Sequence, residues 1–417
     1  MAVAVSVLAV GAAMPFAALG AAHRGAAARW VIRDLGEIKG QGDCPSTYSG
    51  PVAINERNQI VGTGDSCSSD VFLWQNGRAV GLGGLGGAAM QGVWPGMSPD
   101  GVLQLGINDR GEVAWTAESE QPGATYPLLW RKGRLINLDG PLSFSDMSAI
   151  NDRGQVVGSA RADDSYHAFL WQGGRKIDLG SLSRSPSDAS DAAAINNQGQ
   201  IVGSSGPADS SARAFLWQSG RMTGIGTPLG EPGTPAGDQG VQSRAIAISN
   251  RGQVIVAEWG PEMKTSDLPG REFVWQNGRK AVLGAPHGER LGWWGAINER
   301  GEVIGFCIAA AHVARPCLWR DGQALDLGTM SGDRGRALGI NNAGQVVGRT
   351  NIRPWSGESV AFIWQDGKMT RLPSLPARHE STPFWLNGSA AVAINDRGVI
   401  VGVSERHAVE WVPSRGG

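Results

Sequence analysis

The sequence repeats two short segments eight times. The first segment reads AINDRGQVVGS from Ala149, AINNQGQIVGS from Ala194 and AINERGEVIGF from Ala296. Its isoleucine recurs at intervals of 43 to 54 residues, at Ile54, Ile107, Ile150, Ile195, Ile248, Ile297, Ile340 and Ile394. This period is typical of a four-stranded propeller blade, in which each unit buries its apolar face against its neighbours.

Both segments are predicted to form β-hairpins. In the first, AIN and QVVGS flank a turn of the form Asn-x-x-Gly, where the asparagine side chain caps the turn and glycine supplies a positive φ. In the second, HAFLWQ (167–172) and RKIDLG (175–180) flank Gly-Gly, which other repeats replace with Asn-Gly, Ser-Gly, Lys-Gly or Asp-Gly. Each repeat therefore supplies four strands, A to D, and the 62 glycines and 22 prolines of the chain suit so many turns.

The last repeat lacks its fourth strand, because the chain ends in HAVEWVPSRGG without a DLG segment. The missing piece stands at the other end, where WVIRDLG (30–36) aligns with GRKIDLG (174–180). We therefore predict an all-β fold, an eight-bladed β-propeller of four-stranded antiparallel blades that is closed by the N-terminal strand. The alternative is seven blades plus an appended hairpin, because the repeats at Ile107 and Ile248 are the most degenerate.

A tryptophan recurs near the end of strand C in every repeat. A residue of this size at one repeated strand position is best explained by packing between adjacent blades, so we assign these residues to the frame. They are Trp74, Trp130, Trp171, Trp217, Trp275, Trp319, Trp364 and Trp411.

The first 28 residues differ from the rest of the chain. Residues 1–28 are apolar, rich in alanine and end in small residues, as an export signal does, although no Lys or Arg precedes Arg24. A membrane anchor is the alternative, because an apolar stretch of about 20 residues reaches spanning length. On the export reading, a single propeller domain covers 29–413 and a short tail covers 414–417, and the protein is secreted or periplasmic.

The four cysteines agree with export. Three pairings are open to four cysteines, and we favour Cys44 with Cys67 and Cys307 with Cys317, because each of these pairs is local in sequence. A metal site is not expected, since no CxxC motif is present and His312 is the only histidine near either pair. We expect no cofactor.

The second segment resembles that of a known family. HAFLW (167–171), RAFLW (213–217) and VAFIW (360–364) are similar to the repeats of the HAF repeat family of extracellular proteins, which is named for its His-Ala-Phe tripeptide. The resemblance covers about residues 30–412 and implies a repeat architecture and export. It implies no catalytic residues, so function has to be sought in the loops.

Charge and motifs exclude several function classes. Lys and Arg total 37 against 38 Asp and Glu, so the chain has no basic footprint for nucleic acid. No nucleophile elbow, Walker loop or HExxH motif is present. The glycine-rich GLGGLGG (81–87) follows a strand into a loop and does not open a helix, which argues against a phosphate-binding loop.

The predicted loops differ between the two faces of the disc. The A–B and C–D turns are uniformly tight, whereas the B–C and D–A connections on the other face, the variable face, vary widely in length and are expected to carry function. These connections hold aromatic and histidine residues that can stack on sugars or anchor a protein interface, or can instead plug the channel mouth or cover loop cores. The candidates are Trp94, Trp259, Trp293, Trp294, Trp355, Trp385, His287 and His379.

We expect an exported binding module that recognises glycan or another extracellular ligand, such as a protein, on the variable face. One alternative is a hydrolase or lyase that acts on polysaccharide with a pair of loop carboxylates, for which Glu258, Asp333 and Glu358 are among the candidates. The other is a structural or adhesive protein of the cell envelope. We favour binding over catalysis, and we expect a monomer without nucleic-acid or, after signal removal, membrane partners.

Overall fold

The computed structural model describes fifteen segments of the chain. They contain 32 β-strands, which form eight four-stranded antiparallel sheets. The described residues are 30–36, 49–64, 71–83, 105–118, 124–140, 145–162, 165–183, 188–207, 212–226, 241–260, 270–286, 290–309, 313–354, 358–376 and 388–414.

The first half of the chain forms the N-terminal strand and four blades, each made of four consecutive strands in the order A to D. The strands are β1 (Trp30–Asp34); in blade 1, β2 (Ser49–Ile54), β3 (Ile60–Gly64), β4 (Val71–Gln75) and β5 (Arg78–Gly81); in blade 2, β6 (Leu105–Ile107), β7 (Val113–Glu118), β8 (Thr125–Arg131) and β9 (Arg134–Asn137); in blade 3, β10 (Ser145–Ile150), β11 (Val156–Ala162), β12 (Ser165–Gln172) and β13 (Arg175–Asp178); and in blade 4, β14 (Asp188–Ile195), β15 (Ile201–Pro207), β16 (Arg213–Gln218) and β17 (Arg221–Gly224).

The second half forms three more complete blades and three strands of the last one. The strands are, in blade 5, β18 (Gln242–Ile248), β19 (Val254–Trp259), β20 (Arg271–Gln276) and β21 (Arg279–Val282); in blade 6, β22 (Arg290–Ile297), β23 (Val303–Ala309), β24 (Val313–Arg320) and β25 (Gln323–Asp326); in blade 7, β26 (Gly335–Ile340), β27 (Val346–Asn351), β28 (Ser359–Gln365) and β29 (Lys368–Arg371); and in blade 8, β30 (Ser389–Ile394), β31 (Ile400–Ser404) and β32 (His407–Pro413).

The N-terminal strand completes the last blade. Strand β1 pairs antiparallel with β32, from Trp30 opposite Pro413 to Asp34 opposite Val409, and so becomes the fourth strand of blade 8. The predicted closure and the eight-bladed count are confirmed, and the seven-bladed alternative is wrong. The repeats at Ile107 and Ile248, although the most degenerate, each belong to a full four-stranded blade.

The A strands form the inner wall of the propeller. Each A strand contacts the A strands of both neighbouring blades, and the series closes from β30 back to β2. The space that they enclose is the central channel. The hydrophobic core is correspondingly divided into clusters that lie between consecutive blades.

The repeated tryptophans pack between blades, as predicted. Trp171 of blade 3 joins Leu129 and Leu138 of blade 2, and Trp74 of blade 1 joins Val401 of blade 8. Each of the other six likewise lies in the cluster that its blade shares with the preceding blade. These residues therefore belong to the frame.

The A–B turn has the predicted chemistry. The Oδ1 atom of Asn151 accepts hydrogen bonds from the backbone N–H groups of Arg153 and Gln155, both at 3.0 Å. Gly154 adopts a φ of 74°, where a side chain would be strained. In the first repeat Asn58 takes this place with a φ of 58°, because asparagine tolerates the left-handed region better than most residues.

The same asparagine also joins neighbouring blades. The Nδ2 group of Asn151 donates to the backbone carbonyl of Asn196 in the next blade at 2.9 Å, and Asn395 of blade 8 donates to Asn55 of blade 1 at 3.0 Å. Seven of the eight blades make this bond. Blade 5 has Ser249 in place of asparagine, and a hydroxyl is too short to reach across.

The residue after the asparagine forms a second, complete ring. The backbone N–H of each residue donates to the side-chain oxygen of its counterpart in the next blade at 2.7 to 3.1 Å. The last bond, from Asp396 of blade 8 to Glu56 of blade 1, closes the ring. This explains why each repeat has Asp, Asn or Glu at this position. The turn ring consists of Glu56, Asp109, Asp152, Asn197, Asn250, Glu299, Asn342 and Asp396.

The glycine of the first segment faces the phenylalanine of the second. Gly158 lies directly opposite Phe169 in the pairing of β11 with β12. A bulge in β10 brings the Asp146 carbonyl oxygen so close to Gly158 that a Cβ atom there would collide with it. The aromatic ring opposite supplies the packing surface that glycine lacks.

The histidine and alanine of the His-Ala-Phe segment have separate structural roles. His167 Nδ1 lies 2.9 Å from a carboxylate oxygen of Asp178, so it joins strands C and D of one blade. The backbone N–H of Ala168 donates to the Ser190 hydroxyl of the next blade at 2.8 Å. In blade 8, His407 lies 3.0 Å from Asp34 of β1 and thus helps to hold the closing strand.

A further pair of positions changes together from blade to blade. Four blades pair a glutamine four residues after the asparagine with the glutamine that follows the frame tryptophan, as in Gln59 with Gln75. Blade 2 has Glu112 and Arg131 at these positions, with 2.6 Å between Oε1 and Nε. Arg131 also lies over the Trp171 ring of blade 3, at 5.5 Å from its centroid. The contact between these two positions is therefore made by a neutral pair in some blades and by a charged pair in blade 2.

We expect Glu112→Gln alone to lower the free energy of unfolding by about 1 to 3 kcal/mol, because Arg131 loses its carboxylate partner in a half-buried place. The double variant Glu112→Gln/Arg131→Gln recreates the pair found in four other blades and should recover much of this loss. Urea unfolding of both single variants and the double variant measures the coupling energy. Strictly additive effects would contradict the pairing.

One of the two predicted disulfides is present. Cys307 and Cys317 are bonded and connect β23 with β24 inside blade 6, in the core facing blade 5. Cys317 occupies the position that phenylalanine takes in other blades, opposite Gly305. Cys44 and Cys67 lie outside the described residues, as do residues 1–28. In the described part of the chain, no helix is long and apolar enough to span a membrane.

Candidate functional site

The polar groups of the tight-turn face hold the frame together. Every side chain of the turn ring accepts a backbone N–H of the adjacent blade, and the asparagines beside them are engaged in the same way. Groups that are satisfied by the frame are poorly placed to bind a ligand. The candidate site therefore lies on the variable face, where the A strands begin.

One position of the A strands changes in charge from blade to blade. It lies five residues before the asparagine, or Ser249, of each repeat and near the start of each A strand, on the channel side of the variable face. In blade 2 it falls on Leu103, outside the described residues. In the other blades it forms the channel ring, which consists of Gly50, Asp146, Asp191, Arg244, Trp293, Arg336 and Ala390.

The channel ring has an acidic sector in blades 3 and 4. Arg244 Nη2 of blade 5 donates to Asp191 Oδ2 at 3.1 Å. Burial raises the pKa of the Asp191 carboxyl, and the charge of Asp146 raises this pKa further. Arg244 and a hydrogen bond with the Ser159 hydroxyl act in the opposite direction and lower it. The Asp191 side chain nevertheless keeps 36% of its surface exposed, so it remains in contact with solvent. Burial also raises the pKa of Asp146.

The channel ring has a basic sector in blade 7. Arg336 on β26 lies directly opposite Arg349 on β27 in the antiparallel pairing. The Arg336 guanidinium carbon is 4.7 Å from the centroid of the Phe306 ring in blade 6, within cation–π range. Burial lowers the pKa of both guanidinium groups, and the charge of Arg336 lowers that of Arg349 further. In an eight-bladed ring, blade 7 stands across the channel from blade 3, so the two walls differ in charge.

Among the predicted site residues, three tryptophans lie in described strands. Trp259 is the last residue of β19, half-buried and opposite Gln242. Trp293 and Trp294 were expected just before the sixth A strand, but β22 includes both, because its pairing with β23 already begins at Arg290, opposite Ile308. Trp94, Trp355, Trp385, His287 and His379 lie outside the described residues.

The predicted loop carboxylates that the structure describes are paired with basic groups. Glu258 is buried near the end of β19, with Arg271 Nε at 3.5 Å and Lys280 Nζ at 3.9 Å. Glu358 lies 3.2 Å from Arg353. Within the described segments, no group of three or more His, Cys, Asp or Glu side chains is placed to hold a metal ion.

Sequence reasoning missed the charged residues of the channel wall. It selected aromatic residues in long connections, whereas Asp146, Asp191, Arg244, Arg336 and Arg349 lie inside repeated strands. A signal was present, because the position five residues before the repeated asparagine carries acid, base, a small residue, leucine or tryptophan in different repeats. A frame position would instead have kept one chemistry, as the tryptophans do.

Comparison with known proteins identifies a shared fold. No protein-family model matches the sequence. A comparison with curated protein sequences also gives no match. Dipeptidyl peptidase 4 from Porphyromonas gingivalis is similar in structure, with a TM-score of 0.50 and 9% sequence identity, over 88% of this chain and 60% of that chain.

Two further solved structures are similar at lower scores. The β-propeller domain of the Trilobed protease from Pyrococcus furiosus gives a TM-score of 0.48 with 8% identity, over 81% of this chain and 99% of that chain. A streptogramin B lyase gives a TM-score of 0.41 with 10% identity, over 92% of this chain and 98% of that chain. At such identities the likeness concerns the fold alone. The eight four-stranded antiparallel sheets of this chain make it an eight-bladed β-propeller.

Proposed function

We propose that the protein is an extracellular or periplasmic binding module that takes up a glycan ligand on its variable face, at the mouth of the central channel. The observation that carries the proposal is the channel ring. Its charges change from blade to blade while the frame positions around it repeat, so the frame does not require them. Side chains that a scaffold does not need are the ones available for recognition.

Three features support this setting. The Cys307–Cys317 disulfide is compatible with an oxidising compartment outside the cytoplasm. Membership in the HAF repeat family, which is part of the proposal, implies export. Trp259 and Trp293 stand at the variable-face ends of neighbouring blades, and tryptophan stacks well on the apolar faces of sugar rings.

A polysaccharide hydrolase or lyase is the second candidate. The observation in its favour is the pair Asp146 and Asp191, which lie in adjacent blades on the channel wall, where the charge of Asp146 raises the pKa of Asp191. Burial raises both pKa values, which favours a protonated form that could donate a proton to a leaving group. The salt bridge of Asp191 with Arg244 instead favours the charged form, so we place binding first.

The test is a glycan array of neutral, carboxylated and sulfated oligosaccharides probed with the full chain, followed by analysis of the bound sugars for cleavage. We expect binding without cleavage. Trp259→Ala should weaken binding by about 1 to 3 kcal/mol, because it removes an aromatic contact, and should leave the melting temperature nearly unchanged. Ile177→Ala, on the exposed outer strand of blade 3, is the matched control and should bind as the parent does.

Two outcomes would contradict the proposal. If no glycan binds, the ligand class is wrong. If cleavage products appear and Asp146→Asn or Asp191→Asn abolishes them, the hydrolase or lyase reading replaces simple binding.

A further inference from the structure

The arginine pair of blade 7 is an unfavourable arrangement for a frame. Residues directly opposite each other in an antiparallel pair have Cβ atoms about 4.5 to 5.5 Å apart, and like charges in such a pair are destabilising. Arg336 and Arg349 stand in this relation. Burial lowers the pKa of both, which means that the surroundings disfavour the charges that the two groups carry at neutral pH.

Other blades show that the frame does not need this pair. The equivalent cross-strand pairs combine Gly50 with Thr63, Asp191 with Ser204 and Arg244 with Ala257, and none of them brings two like charges together. Blade 7 is therefore the exception among the described pairs. Its two charges have to be explained by something other than blade formation.

No carboxylate balances the two arginines within the described residues. Several other buried or half-buried charged groups of these segments do have a partner of opposite sign, as Asp191 has Arg244 and Glu112 has Arg131. For Arg336, the described contact is the face of the Phe306 ring, which orients the guanidinium group without neutralising it. A fixed guanidinium plane is well suited to donate two parallel hydrogen bonds to one ligand group.

The wall beyond the pair carries little bulk. The channel ring continues from Arg336 to Ala390 in blade 8 and Gly50 in blade 1, the two smallest residues of the ring. No large side chain therefore follows Arg336 at the next two positions of the channel ring. Two like charges with no carboxylate partner among the described residues have the chemistry of an anion-binding site.

We propose that Arg336 and Arg349 bind an oxyanion group of the ligand, a carboxylate, sulfate or phosphate, at the channel mouth. This inference rests on the proposed function and specifies that its glycan is acidic. An oxyanion between the two guanidinium groups accepts charge-assisted hydrogen bonds from both and removes their mutual repulsion. The acidic sector on the other side of the channel, Asp146 and Asp191, repels a second anion and so restricts anion binding to the side of the arginines.

The first test measures thermal unfolding of the full chain in millimolar sodium sulfate, with sodium chloride at equal ionic strength as the reference. We expect a saturable rise in melting temperature with sulfate. Arg349→Met should raise the melting temperature without sulfate, because the like-charge pair is relieved, and should weaken sulfate binding by at least about tenfold. Arg336→Met should weaken sulfate binding similarly.

Arg371→Met is the matched control, because it removes the same charge from the exposed outer strand of the same blade. It should keep the full sulfate response, which also separates specific binding from the general stabilisation that sulfate gives to folded proteins. Equal sulfate responses in all four proteins would overturn the proposal. A fall in melting temperature of Arg349→Met without sulfate would also overturn it, because Arg349 would then be a structural residue.

Separate arms with inorganic phosphate, a uronate oligosaccharide and a sulfated oligosaccharide identify the source of the oxyanion. The oxyanion is identified by the ligand whose binding falls most in Arg349→Met and is retained in Arg371→Met. This result is independent of the glycan array. Sulfate binding that depends on Arg349, in a protein that binds no glycan, would refute the glycan ligand and leave the oxyanion site intact.

Discussion

Removal of the closing strand is expected to have the largest effect on the protein. Deleting residues 30–36 removes the whole of β1, so β32 becomes an exposed edge strand. Trp30 and Ile32 no longer pack against the core cluster that contains Trp411. Buried Glu410 also loses its ion pair with Arg33, which is 3.0 Å away. We expect the free energy of unfolding to fall by more than about 5 kcal/mol, with aggregation through the open edge.

Thermal unfolding and light scattering measure this change. Deletion of residues 415–417, which follow β32, is the control and should change neither. A synthetic peptide of residues 29–37 should restore stability when it is added to the truncated protein, because it can pair with β32 as β1 does. An unfolding curve that overlays that of the full chain would show that blade 8 does not depend on β1.

The substitution Trp411→Ala should cost about 3 to 5 kcal/mol of stability, because it empties a large, fully buried site between blades 7 and 8. The indole Nε1 also donates to the carbonyl of Pro373 in blade 7 at 2.7 Å, so the residue holds the blades by a hydrogen bond as well as by packing. Trp411→Phe keeps most of the packing and should lose only about 1 to 2 kcal/mol.

Urea unfolding of the two variants provides the measurement, and Trp259→Ala is the matched tryptophan outside the blade interfaces. We expect Trp259→Ala to be far milder, because Trp259 is half-buried at a strand end. If all three variants lose the same stability, the division between frame and binding-face tryptophans is wrong.

Much of the frame was readable from the sequence. The period of the AIN segment, the Asn-x-x-Gly turn and the two-residue C–D turn depend on residues close together in the chain, so their chemistry is visible as a local pattern. Closure was also readable, because the orphan segment around Asp34 matches the segment around Asp178. The Cys307–Cys317 bond was predicted for the same reason, since its partners are only ten residues apart.

The hydrogen-bond partners of the repeated residues could not be predicted from the sequence in the same way. The His-Ala-Phe segment can be recognised as a motif, but the partner of Ala168 is Ser190 in the next blade, and the partner of Asn395 is Asn55 at the other end of the chain. Such bonds exist only once neighbouring blades are packed and the ring is closed. The structural roles of these residues therefore depend on tertiary contacts that no single repeat contains.

The candidate site depended on tertiary structure most of all. The sequence by itself determined the four-stranded blades, their turns, their closing strand and the frame tryptophans, because a repeated fold repeats its local requirements, and it favoured eight blades over seven. It did not show that Arg336 and Arg349, thirteen positions apart, face each other across two strands, or that Asp146, Asp191 and Arg244 meet around one channel. Strand register and ring closure bring these charges together, and burial then raises the pKa values of Asp146 and Asp191 and lowers those of the two arginines of blade 7. Only the folded molecule therefore decides the chemistry of its channel mouth.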